Sequence, residues 1–239
     1  MEHSSTDRVL VSPRYLAGAG DRLADVLGPL IHLFGWAHTH DPVSGHVAVD
    51  SPGKDVLVDF APTRPDGTWW TISHPDPFWQ VTAMCQTPLE ALAGITQVLP
   101  QLLGDTRYAS RIPLAERSVA EIADINGWTA HGTSFTSPDG HCVMQHAPGS
   151  AWRVEHSVYD GVGTHWSVRA EGDLPEALAG QFLSHLASPD PVERARDDVP
   201  FLARGQARMT PVAGHSGLGA QVTHALGGLF DTDAKGRRR

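Results

Sequence analysis

The sequence predicts an α+β fold built as a tandem repeat, in which each copy is a helix, a four-stranded antiparallel meander and a second helix. A duplicated stretch carries this prediction, because SPGKDVLVDFAP at 51–62 returns without a gap as SPDGHCVMQHAP at 137–148. The flanking blocks repeat as well: a Gly-Trp pair before each stretch, two segments that begin with Trp after it, and the pentapeptide EALAG. The spacing between the copies changes only between blocks, as happens where loops vary around a fixed core.

In the first copy, apolar residues at helical spacing between Leu23 and Phe34 predict a helix that Asp21 caps and Pro29 kinks or breaks. Residues 38–42 are predicted as a loop. Four strands are predicted at 46–50, 55–60, 69–74 and 78–85, and their short connections favour an antiparallel meander. Thr87 is the predicted cap of a helix over 89–103.

The second copy repeats this order, with a helix over about 114–126, four strands between 134 and 170, and a helix over 175–186. A strand is predicted at 8–11 and a charged helix at 191–204. The chain is thereby divided into a disordered N-terminus (1–7), two repeats (8–104 and 105–188) and a partly disordered C-terminal extension (189–239).

Composition excludes some classes of function. The chain has 239 residues and a net charge of −9, which argues against a general binder of polyanions, since such proteins normally carry a basic surface. No apolar run reaches the roughly 18 residues of a membrane span, so no membrane partner is expected. The two cysteines lie in apolar strand-like runs and are expected to be free thiols, which suits a cytoplasmic protein.

Side chains alternate along a strand, so each predicted sheet has two distinct faces. One face carries matched tryptophans and small apolar residues and is expected to pack beneath the helices. The other face supplies the candidate binding residues, which are Trp69, Phe78, Gln80, Arg153, His165 and Arg169. Exposed aromatic residues on an open sheet stack bases or hold a partner. In the alternative interpretation, Trp69 and Phe78 pack against the other repeat or the C-terminal segment.

No motif marks a catalytic, metal or cofactor site. His38, His40 and His46 cluster, but no set of Asp, Glu or Cys completes a metal site around them. Glu90 and Glu176 are matched between the copies, and each lies in the first turn of a predicted helix, where a carboxylate complements the helix dipole. The sequence therefore predicts no catalytic residues, no metal and no cofactor.

Ser137-Pro138-Asp139-Gly140 resembles the signature of the SPDY domain family, a family of unknown function from Streptomyces and its relatives. The run Pro13 to Gly18, the Gly-Trp pairs, the strands that begin with Trp and the Thr87-Pro88 helix start are also similar to that family. The resemblance covers residues 8–188. Gly140 and Lys54 stand where the signature has tyrosine, and Gly53 replaces its aspartate. The resemblance implies a cytoplasmic protein with tandem copies and no established activity.

Taken together, the sequence favours a non-catalytic macromolecule-binding module, with a protein partner favoured over nucleic acid because of the acidic balance. One alternative is binding of single-stranded nucleic acid on the sheet face, by analogy with other meander-plus-helix folds. A second alternative is an enzyme with a cleft between the repeats, where His38, His40, His74 or His156 would converge.

Overall fold

The computed structural model describes residues 7–147, 149, 151–159 and 165–212. Its strands are β1 (Arg8–Ser12), β2 (Ala37–Asp41), β3 (His46–Asp50), β4 (Leu57–Phe60), β5 (Thr68–Pro75), β6 (Phe78–Met84), β7 (Thr129–His131), β8 (Ser134–Thr136), β9 (Cys142–His146), β10 (Trp152–His156), β11 (Trp166–Gly172), β12 (Val192–Ala195) and β13 (Arg208–Pro211). Its α-helices are α1 (Leu23–Gly28), α2 (Leu89–Leu102), α3 (Val119–Ile125) and α4 (Glu176–Leu186). The fold class is α+β with a large antiparallel sheet, as predicted.

Ten of these strands form one continuous antiparallel sheet, in the order β2-β3-β4-β5-β6-β11-β10-β9-β8-β7. The two halves of the chain meet where β6 pairs with β11, from Val168 opposite Ala83 to Gly172 opposite Trp79. Each half contributes five consecutive strands, so the last strand of each half lies at the centre and the first lies at an edge.

The prediction of four strands per half was wrong by one strand in each half. β2 contains His38 and His40, which were expected in a loop, and pairs with β3 along its whole length. β7 is its counterpart at the opposite edge. All side chains of β2 and β7 are exposed. An edge strand with both faces in water lacks the apolar alternation that reveals a strand in a sequence.

The four helices cover one face of this sheet and share a single hydrophobic core with it. The tryptophans and the apolar residues predicted to point inward are indeed buried, including Trp70 and Trp166, each 1% exposed. Helices α2 and α4 cross closely at Gly94 of the first EALAG block, whereas Gly180 of the second block faces α3 and the segment before it. A Cβ on Gly94 would lie 2.7 Å from the His185 ring, whereas one on Gly180 would meet only ordinary contacts at 3.4 Å.

A second, three-stranded sheet joins the ends of the described chain in the order β12-β1-β13. The predicted charged helix over 191–204 was wrong, because residues 192–195 pair with β1 instead. Val192 packs with Val9, Val11 and Val199 in a small core of its own. The alternation of buried and exposed residues in β12 was obscured by its charges, since Arg194 points inward.

Several helix starts also differ from the prediction. Asp21 does not cap α1 but accepts a hydrogen bond from Arg8, and Thr87 makes no cap bond at α2, whose N-cap is Pro88. α3 begins only at Val119, where Ser118 and Glu121 form a reciprocal capping box. α1 does end directly before Pro29, as expected for a proline inside a helical pattern.

The duplicated Ser-Pro stretch forms the same turn in both halves. The buried hydroxyl of Ser51 accepts hydrogen bonds from the backbone N–H groups of Asp55 and Val56, and that of Ser137 accepts one from Cys142 N–H. The fourth turn residue has a left-handed backbone in each copy, with φ of 59° at Lys54 and 79° at Gly140. The serine thus sets the start of the following strand.

Each Arg-Tyr pair that precedes one half packs on the other half. Tyr15 lies edge-on to Trp128 of the second half, with ring centroids 5.9 Å apart. Tyr108, which precedes the second half, lies edge-on to Phe34 of the first at 5.2 Å. Arg14 reinforces the first exchange, because its guanidinium donates to the backbone oxygen of His185. The segment ahead of each half is therefore held by its neighbour.

Replacing Lys54 by Gly is expected to raise the free energy of unfolding by about 0.5–1 kcal/mol, because a side chain in a left-handed conformation is strained. The reciprocal Gly140→Lys substitution is the matched control, since a Cβ there meets nothing within 4 Å. It should destabilise by a similar amount. Urea unfolding of both variants checks this, and equal effects of the same sign would contradict the strain argument.

Gly94→Ala is expected to destabilise the protein by about 1–3 kcal/mol, because the added methyl group overpacks the contact between α2 and α4. Gly180→Ala is the matched control, and it should change stability by less than about 1 kcal/mol because helix propensity favours alanine. Thermal unfolding of the two variants measures the difference. Similar effects at both glycines would show that the close approach at His185 does not limit packing.

Candidate functional site

The side of the ten-stranded sheet turned away from α1–α4 is hereafter the outer face. No helix of the described residues packs on it. A row of outward side chains crosses six strands in direct register: Asp59, Thr71, Thr82, Arg169, Arg153 and Gln145. This central row is polar throughout and passes without interruption from the first half to the second.

In the first half, the charges of the central row are satisfied within the sheet. The Asp59 carboxylate accepts from the guanidinium of Arg64 and lies in contact with the ring of His46. Arg64 also donates to the hydroxyl of Thr71, at 3.0 Å. This end of the row therefore has little capacity left for a partner.

In the second half, the central row carries two arginines directly opposite each other on β10 and β11. Arg153 Nε donates to Gln145 Oε1 at 2.9 Å, and its Nη1 lies 3.6 Å from Glu155. Arg169 is exposed and makes no hydrogen bond or ion pair with any residue that the structure describes. Like charges that face each other across a strand pair repel, so this pair has capacity for an anionic group.

Two depressions flank Arg169 on the outer face. The seam groove, about 430 Å³, lies over the β6–β11 junction and is lined by Asp66, Thr68, Thr82, Met84, Ser167 and Arg169. The end groove, about 420 Å³, lies at the ends of β9–β11, and its polar lining comes from Thr133, Gln145, His146, Arg153, Arg169 and Glu171. Arg169 separates the two grooves and contributes to both.

Three of the six candidate binding residues lie on this face as predicted. Gln80 is opposite Glu171 across the β6–β11 junction, and Arg153 and Arg169 form the pair described above. Phe78 is 54% exposed at the tip of the hairpin between β5 and β6, away from the grooves. None of these four residues packs into the shared core.

Trp69 and His165 lie differently from the prediction. Trp69 is the extra residue of a bulge in β5, and it is half-buried, with its ring edge-on to Phe60. His165 was expected on the outer face, but it precedes β11, and its ring lies 5.5 Å from that of the buried His156. Strand alternation does not extend to a residue outside the strand, which explains the second difference.

The four histidines of the enzyme alternative are not brought together. His38 and His40 lie on the edge strand β2, His74 on β5 and His156 on β10. In the sheet, β5 is the third strand from β2, and β10 is the third strand from β5. Each of these two separations is therefore about 14 Å. Within the described ranges, no group of three or more His, Cys, Asp or Glu side chains is arranged to hold a metal ion.

A buried polar cluster that the sequence did not reveal surrounds the second Ser-Pro turn. The phenol of Tyr15 lies beside Ser137 and Asp139, and burial raises its pKa far above the usual range. His156 stacks on Trp166, and neither of its ring nitrogens has a partner among the described residues. Burial, together with the neighbouring His165 and His141, lowers the pKa of His156 to about 3.

The matched glutamates have partners beyond the helix dipole that sequence analysis assigned to them. Glu90 accepts two hydrogen bonds, at 2.8 and 2.7 Å, from the guanidinium of Arg194, which is 1% exposed. Glu176 Oε1 lies 2.9 Å from Nε2 of the buried His146. Arg194 comes from the segment that was predicted as a charged helix, so its role was missed.

No helix in the described part of the chain is long and apolar enough to cross a membrane. Both cysteines are free, as expected; Cys142 is buried, which raises the pKa of its thiol, and Cys85 is partly exposed.

Comparison with known families finds a match in the second half of the chain. Residues 136–192 match the family model SPDY, described as a domain of unknown function (DUF317). The matched part runs from the second Ser-Pro turn through β9–β11 and α4 to the start of β12. Over these residues, the second half of the chain is similar to the SPDY family. No curated protein and no solved structure matches the chain.

The buried neutral His156 is expected to make stability depend on pH. Its pKa is about 3 in the folded state and about 6.5 when unfolded, so the unfolded state binds the proton more readily. The stabilisation is complete above pH 6.5 and is lost towards pH 3, at about 1.4 kcal/mol for each pH unit. Urea unfolding of wild type and His156→Phe between pH 7 and 5 measures this contribution, because phenylalanine retains the stacking on Trp166 but does not titrate.

The His156→Phe variant should lose a smaller part of its stability than wild type between pH 7 and 5. A residual slope is expected, because burial and Arg14 also lower the pKa of His185. An unchanged slope in His156→Phe would contradict the assignment.

Proposed function

We propose that this chain is a non-catalytic binding module whose outer face receives a protein partner, in a regulatory or scaffolding role. The observation that carries the proposal is the one-sided layering of the ten-stranded sheet. All four helices cover one face, whereas the other presents a polar row, two grooves and an arginine without a partner among the described residues. Binding and catalytic groups are commonly presented on a rigid scaffold in this way.

The charges of the outer face support a protein partner over nucleic acid. Asp66, Glu155 and Glu171 lie around the arginine pair, and the whole chain has a net charge of −9. A nucleic acid is uniformly anionic, and these carboxylates would repel it. A protein segment carries charges of both signs and can complement both.

We also propose that the first half is a second SPDY-like unit, so that the chain is a tandem repeat of helix, strand meander and helix. Two features support this. In both halves the serine hydroxyl of the Ser-Pro turn accepts a hydrogen bond from the N–H five residues later, and the fourth turn residue is left-handed. His74 stacks on Trp79 in the first half as His156 stacks on Trp166 in the second. A cytoplasmic location and an origin in Streptomyces or a relative belong to this proposal.

Site-specific photo-crosslinking tests the proposed function. A benzoylphenylalanine placed at Thr82, on the outer face, is expected to crosslink a discrete protein in the native host. The same probe at Ala120, exposed on α3 on the helical side, is the matched control and should not capture that protein. Equal capture from both positions, or capture from Ala120 alone, would contradict the proposal.

The nucleic-acid alternative is tested separately by fluorescence anisotropy. Labelled single-stranded DNA is expected not to bind the full chain at low salt, where electrostatic attraction is greatest. Binding that weakens as salt is added, and that is lost on the arginine variant Arg169→Gln, would replace the protein partner by a nucleic acid.

A further inference from the structure

We infer that the arginine pair Arg153 and Arg169 recognises a carboxylate on the protein partner, in a segment where that acidic residue is flanked by basic ones. This inference rests on the proposed function and names the chemistry of the partner. It derives from three observations: the position of the pair, the presence of described hydrogen-bond partners for Arg153 but not for Arg169, and the carboxylates around both.

Arg169 has the geometry of an interaction centre. It is exposed in the middle of the central row and projects between the seam groove and the end groove, so a ligand in either groove reaches it. Its guanidinium has five N–H donors and no described acceptor. A carboxylate matches such a fork with two parallel hydrogen bonds.

Arg153 lies opposite Arg169, and its side chain is oriented by neighbouring residues. Its hydrogen bond to Gln145 fixes the Nε side of the guanidinium, while Glu155 lies 3.6 Å from Nη1. Because Arg153 is directly opposite Arg169, one carboxylate between them is within reach of both guanidinium groups. Bound anion would also remove the repulsion between the two positive charges.

The surrounding carboxylates determine what flanks the partner's acidic residue. Glu171 follows Arg169 by two residues on the same face of β11 and lines the end groove, and Asp66 lines the seam groove. A chain passing over Arg169 from one groove to the other therefore meets a negative, a positive and a negative region in turn. Lysine or arginine on both sides of the acidic residue complements this order.

The experiment uses the full chain and a capped tripeptide, acetyl-Lys-Glu-Lys-amide, as the probe. Arginine Nε–Hε resonances are followed by NMR during titration, with the charge-reversed acetyl-Glu-Lys-Glu-amide as the second ligand. We expect the first peptide to shift the Arg153 and Arg169 resonances with a Kd on the order of 1 mM, typical of a few exposed polar contacts. The charge-reversed peptide should bind at least about tenfold more weakly.

Arg169→Gln should weaken binding of the first peptide at least about tenfold, and Arg169→Lys should weaken it less, because it keeps the charge but loses the fork. Arg208→Gln is the matched control, since Arg208 is exposed on the separate three-stranded sheet. Equal binding of the two peptides, equal loss in the Arg208 variant, or tighter binding of oligo(dT) would overturn the inference. Crosslinking from Thr82 that persists in Arg169→Gln would overturn it while leaving the proposed function intact.

Discussion

The pairing of β6 with β11 is the interaction on which the rest of the structure depends. It joins two five-stranded meanders into one sheet and places the last strand of each half at the centre. There the inner side chains pack in the core and the outer ones line the seam groove. The helices that follow these strands, α2 and α4, then cross over the junction with a glycine at the contact. One core thereby serves both halves, and the outer face becomes a single surface.

The segments that precede the two halves also link them, because each packs on the opposite half. Tyr15 precedes the first half but packs in the second, and Tyr108 does the reverse. Arg194 closes the arrangement, because it reaches from β12 to Glu90 at the start of α2, with its charge fully buried. A buried charge without its partner is strongly destabilising, so the small sheet and the first half are coupled through this pair. Each half is consequently incomplete alone, although each has its own meander and helices.

Sequence reasoning located what apolar periodicity and local motifs report. The matched tryptophans of the core, the helices after the meanders and the Ser-Pro turns were found in this way, as were Arg153 and Arg169 on the outer face. It failed where the determining contact is distant in sequence. β2 is exposed on both faces, β12 is a strand only because β1 lies beside it, and Arg194 is buried only because Glu90 receives it. Trp69 was misjudged because a bulge shifts the alternation, which no pattern in residues 66–70 signals.

The two faces of the sheet differ in how closely the residues of one half match those of the other. Inward residues are nearly equivalent, with Trp70, Val81 and Ala83 matched by Trp152, Val168 and Ala170, because a shared core tolerates little change in volume. Along the central row, the equivalent positions are instead Asp59, Thr71 and Thr82 in one half and Gln145, Arg153 and Arg169 in the other. In the first set the Asp59 carboxylate is paired with Arg64 and contacts the His46 ring, whereas the second set leaves a guanidinium free of any described partner. Packing explains why the inner residues match between the halves, but it does not explain why the outer residues differ. A partner that binds mainly to the second half would account for that difference.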